Sequence, residues 1–73
     1  MQTTALIIPY TSAGIRWHLT NNVFGLTDYT IDNIVLMCEK VNRGEVDIHS
    51  DHLNIGCTPA EMLADLQIEY NED

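Results

Sequence analysis

Residues 46–53, VDIHSDHL, place two histidines and two aspartates within eight positions, and Cys57 follows four residues later. Imidazole, carboxylate and thiolate are the side chains that hold zinc and similar ions. On a strand, Asp47, His49 and Asp51 would project from one face at i, i+2 and i+4, with His52 turned the other way. The spacing matches no zinc signature such as CxxC paired with HxxxH. The stretch therefore reads as a solvated acidic strand face ending in a polar turn. A metal-binding module centred on Asp47, His49 and Asp51 is the rival reading, and no metal or other cofactor is expected.

The same residues raise nucleophilic and acid–base chemistry, with His18, His49 or His52 paired to Cys38 or Cys57. Cys38 falls on an apolar helical stripe, where a thiol behaves as a small hydrophobe. Cys57 precedes a helix N-terminus, which lowers a thiol pKa. There is no glycine-rich phosphate loop, and 73 residues leave little material for a pocket. An enzyme is not expected. HSDHL also differs from the Asp-Ser-Leu element of acyl carrier proteins, because Ser50 precedes the aspartate instead of following it.

Charge is the most informative property. The net charge is −8, from 3 basic and 11 acidic residues. Arg16, Lys40 and Arg43 cancel Asp28, Asp32 and Glu39 within residues 1–44. Residues 45–73 carry Glu45, Asp47, Asp51, Glu61, Asp65, Glu69, Glu72 and Asp73 with no lysine or arginine. Phosphate binding needs clustered basic residues, so direct nucleic-acid binding is not expected. Basic surfaces on other proteins are the natural counterpart. No apolar run approaches the roughly 18 residues of a membrane helix, and MQTTALIIPY lacks the basic start of a signal peptide. A cytoplasmic chain with both cysteines as free thiols is expected.

These residues need elements to position them. TTALII reads as a short strand ended by Pro9. Residues 12–24 fit a helix with Ser12 as N-cap and Ile15, Leu19 and Val23 on one face. They also fit a strand alternating Ile15, Trp17 and Leu19; Ser12 and Gly25 bracket the segment and favour the helix. LTDYTIDNIVLMCEKVNRG is the clearest helix. Thr27 or Asp28 caps it, Leu26 and Ile31 suit a hydrophobic staple, and Gly44 suits the C′ position. Its stripe is Ile31, Ile34, Val35, Cys38 and Val41. Leu36 falls on the opposite side near Tyr29, as in a helix covered from both directions. VDIH reads as a strand able to pair with ALII. TPAEMLADLQIEY is a further helix with Thr58 as N-cap, Pro59 at N1 and Glu61 completing a capping box. Pro59, Met62, Leu63, Leu66 and Tyr70 form its buried stripe. The expected fold is a single α+β domain over residues 1–73, with about three helices and a short two-stranded sheet.

On the last helix, Glu61, Asp65 and Glu69 repeat at i, i+4 and i+8 with no basic residue to offset them. Ile68 would sit among them on the outer face. Those four residues form the expected partner-binding surface, since an apolar residue ringed by acids suits a basic partner. LQIEY also alternates as a strand would, which would bury Ile68. Trp17, Tyr29 and Leu36 form the reserve contact surface.

In length, acidity and lack of enzymatic motifs, the whole chain resembles the small bacteriophage regulators that bind bacterial RNA polymerase. No motif carries the resemblance, so no functional residue transfers. It implies a protein that binds a polymerase subunit and inhibits transcription initiation, with a further effect on termination. A DNA mimic is the other rival, but residues 1–25 contain no acid to extend such a surface.

Overall fold

The computed structural model describes residues 6–51 and 55–71. Three helices form: α1 Ser12–Asn22, α2 Asp28–Asn42 and α3 Pro59–Asp65. Among the described residues there is no strand, so the domain is all-α and the expected two-stranded sheet is absent. Thr3, Thr4 and Ala5 of the expected TTALII strand lie outside the described residues.

The reason lies in where the backbone groups of Ile8 go. Its N–H donates to Oδ1 of Asn42 at 2.8 Å, and its carbonyl accepts from Nδ2 of Asn42 at 2.9 Å. One side-chain amide at the end of α2 thus supplies both bonds that a neighbouring strand would have supplied. Asn71 holds the preceding carbonyls. Its N–H donates to Ile7 at 2.6 Å and its Nδ2 to Leu6 at 2.9 Å. The VDIH segment turns instead of extending, with the Ser50 N–H bonded to the Asp47 carbonyl at 3.1 Å. The Ile48 carbonyl accepts from Ala60 N–H at 2.9 Å, which ties this turn to the start of α3. The side chain of Ile48 is buried.

Residues 12–22 are a helix, as Ser12 and Gly25 suggest, but the N-cap is Thr11, whose side chain accepts from Gly14 N–H. Ser12 at N1 instead donates its hydroxyl to Glu39 at 2.6 Å. Together with the Arg16–Asp32 ion pair, this sets α1 antiparallel to α2. Helix α2 is capped by Thr27, and its stripe of Ile31, Ile34, Val35, Cys38 and Val41 is buried along with Met37. Ile8, Ile15, Leu19, Ile48, Leu63 and Ile68 complete the core around it. Leu36 is 44% exposed and Tyr29 is exposed, so α2 is not covered from both directions.

Helices α2 and α3 end in the same way. After α2, Gly44 (φ 79°) donates to Val41 and Glu45 donates to Lys40. After α3, Gln67 (φ 61°) donates to Ala64 and Ile68 donates to Leu63. Both are Schellman closures with a left-handed C′ residue. Glycine marks the first in the sequence. Glutamine does not mark the second, so the sequence pattern runs on toward Tyr70 although the left-handed turn at Gln67 ends the helix at Asp65. The closure folds Ile68 back onto Leu63, and both are buried.

Two stability changes follow. Replacing Asn42 with alanine leaves the N–H and carbonyl of Ile8 without their partner, and should cost about 1–3 kcal/mol. A urea midpoint equal to that of the parent would show that the amide clamp contributes nothing. Gln67→Gly should stabilise. Relief of left-handed strain is about 1–2 kcal/mol for a non-glycine residue, offset by about 0.5–1 kcal/mol of added glycine entropy. Thermal melting of the variant should therefore shift upward, and a lower melting temperature would contradict this account of the helix end.

Candidate functional site

The carboxylates of Asp47 and Asp51 are engaged by nearby backbone N–H groups. Asp47 Oδ1 accepts from the His49 N–H at 3.0 Å. Asp51 accepts from the N–H groups of Ile55 at 3.0 Å and Gly56 at 2.8 Å. Both aspartates therefore act as turn-forming groups, the ordinary use of a short carboxylate in a loop. Among the described residues, no three His, Cys, Asp or Glu side chains gather as a metal ion would require. His52 lies outside the described residues.

Of the remaining chemistry-bearing residues, His18 faces the C-terminal end of α3. Its Nε2 lies 2.8 Å from the Leu66 carbonyl, so that nitrogen carries the proton and donates. Its Nδ1 is 3.4 Å from the amide nitrogen of Asn22. The ring ties α1 to the turn that ends α3 and borders a cleft of about 200 Å³ with Tyr10, Ile15 and Ile68. Cys38 and Cys57 are both free thiols, the first buried and the second half-buried.

The acidic surface is only partly as expected. Glu61, Asp65 and Glu69 are all exposed. Ile68 is only 5% exposed and belongs to the core, so its side chain is removed from the expected partner-binding surface. The left-handed turn at Gln67 is the physical reason: it ends the helical register that would have pointed Ile68 outward. Glu69 follows that turn, so the i, i+4 relation holds on the helix for Glu61 and Asp65 alone. Glu61 has a second duty. Its side chain accepts from Thr58 N–H at 3.2 Å while the Thr58 hydroxyl accepts from Glu61 N–H at 3.3 Å, a complete capping box.

Two of the three basic residues are already paired, Arg16 with Asp32 and Arg43 with Glu45. Asp65 and Glu69 have no ion pair among the described residues. Asp65 stands beside a second cleft, of about 420 Å³, between α2 and α3. Leu26, Ile34, Met37, Met62 and Leu66 line it as an apolar floor. The apolar spacing of the sequence puts Met62 on a buried stripe and leaves Met37 off the stripe of α2. The signal for Met37 was its position three residues after Ile34, which continues the stripe toward α3. Several large apolar side chains are also exposed, including Trp17, Tyr29 and Phe24, the last at 91%. Trp17, Tyr29 and Leu36 are thus all on the surface, although nothing pairs them with the acids of α3. Among the described residues, no helix is long and apolar enough to cross a membrane.

Burial, and then the neighbouring Glu39 carboxylate, push the Cys38 thiol up from 9.0 to about 11. The unfolded chain therefore releases this proton before the folded chain does, and stability is lost as pH rises through about 9 toward 11. Cys38→Val removes the group while keeping an apolar side chain. Urea midpoints measured across this range should fall less steeply for the variant than for the parent, and identical slopes would contradict the assignment. Comparison with known proteins supplies no relative: no family model, no curated protein and no solved structure matches this chain.

Proposed function

We propose that this chain is a small regulatory binding protein whose acidic C-terminal part docks on a basic protein surface. Bacterial RNA polymerase is the proposed partner, and inhibition of transcription initiation the proposed consequence. The observation that carries this reading is the excess of acid in residues 45–73, of which only Glu45 has an ion pair among the described residues. Eight acids stand there without a lysine or arginine, and Asp65 and Glu69 are exposed without an ion pair among the described residues. Unpaired exposed carboxylates repel one another, and a basic partner relieves that repulsion while steering its own approach. The choice of polymerase rests on the resemblance in size and charge to phage regulators that bind it.

The test must spare the capping box, because Glu61→Lys would remove a helix cap as well as a charge. The suitable variant is Glu61→Gln with Asp65→Lys and Glu69→Lys, since glutamine also closes the box. Purified polymerase should retain the parent chain at low salt, and the variant should bind at least roughly tenfold more weakly. Association of the parent should slow as salt rises, because the Debye length falls from about 10 Å at 0.1 M to about 3 Å at 1 M. Absence of polymerase binding at low salt, or a variant that binds and inhibits as well as the parent, would overturn the proposal.

A further inference from the structure

The cleft between α2 and α3 has features that specify an occupant. Its floor is apolar, and two of the floor side chains, Met37 and Met62, are thioethers. Methionine is flexible and polarizable and repacks around varied apolar groups, so the half-buried Met62 and the buried Met37 beneath it can adjust to an occupant. Its rim is uncharged on the α2 side, at Thr30 and Asn33, and carries Asp65 on the α3 side. Among the described residues there is no strand edge that could pair with an extended peptide. A helix satisfies its own backbone hydrogen bonds and so can enter without an edge to pair with. Charge decides the rest. A second copy of this chain also carries −8 and would be repelled, as would an anionic membrane surface.

From these features we infer that the α2–α3 cleft receives a basic amphipathic helix from a partner protein. The apolar face of that helix packs on Met37 and Met62, and a lysine or arginine at its edge meets Asp65. This deepens the proposed function, on which it rests, by naming the kind of element bound and the place where it seats.

The probe is a synthetic leucine–lysine amphipathic helix of roughly four turns. The control peptide has the same composition in an order that spreads leucine around the helix, so net charge alone cannot distinguish the two. Fluorescence polarisation gives the affinities, and methyl spectra of the labelled chain report on Met37 and Met62. The amphipathic peptide should bind at least roughly tenfold tighter than the control and shift both methyl signals. Asn33→Trp fills the cleft from its exposed rim without changing charge, and should abolish that advantage. Thr30→Trp repeats the test if circular dichroism shows that Asn33→Trp does not fold. Equal affinity for the two peptides, unmoved methyl signals or an advantage that survives the tryptophan would each overturn the inference. The same tryptophan variant separates this inference from the broader reading. If it binds polymerase like the parent while the Asp65 and Glu69 variant does not, the cleft is overturned and acidic docking stands. If the peptide seats in the cleft but polymerase does not bind at all, the cleft stands and the polymerase reading falls.

Discussion

The structure depends on the side-chain amide of Asn42 at the end of α2. A chain of this size buries only about 60% of its unfolded surface, so its core needs every apolar side chain it can recruit. Ile8 is among the fully buried residues, yet it lies in a segment without secondary structure. Such a segment can enter a core only if its backbone polar groups find partners. Asn42 supplies both for Ile8, and Asn71 supplies partners for the two carbonyls before it. Two side-chain amides and the backbone N–H of Asn71 thus do what a sheet would do with a strand. They let both ends of the described chain cover α2, leaving three helices and ordered connections to close the core.

A second constraint shapes the surface. The left-handed residue at Gln67 stops α3 after 7 residues and returns Ile68 to the core. Without that turn, an outward Ile68 would have been an apolar point among carboxylates. With it, the apolar surface near the acids is the cleft formed by Met37 and Met62 with Asp65 at its rim. One short helix carries the capping box, the core residue Leu63 and the exposed acid Asp65. Glu61 shows the same overlap, serving both as part of the acidic surface and as one half of the capping box. Charge on this helix therefore cannot be altered wholesale without altering its stability.

Much of the architecture was legible in the residues themselves. Local signals with a defined hydrogen-bond geometry, such as Thr27 before α2, Gly44 after it and Thr58-Pro59 with Glu61 at the start of α3, all appear where the sequence places them. The buried stripe of α2 follows from its 3.6-residue spacing. The sheet was misread because ALII and VDIH carry strand-like composition, and β-propensity reports how well a residue fits a half-buried surface more than which partner it meets. The early cap at Thr11 in place of Ser12 was within the reach of the sequence, since either hydroxyl can cap; the carboxylate of Glu39, far along the chain, decided which one did.

What the sequence determined by itself was the segregation of charge, the capped starts of α2 and α3 and the apolar face of α2, because each depends on residue type and on spacing within a few positions. What only the tertiary structure decided was the fate of the segments between and beyond the helices. Asn42 meets Ile8 across 34 positions, and His18 meets the Leu66 carbonyl across 48. Asn71 meets Leu6 across 65. No local pattern encodes a side-chain amide that substitutes for a strand, or a glutamine that accepts a left-handed turn. Both exist because burial of Ile8 and Ile68 in a small core outweighs the local preferences of the residues that hold them.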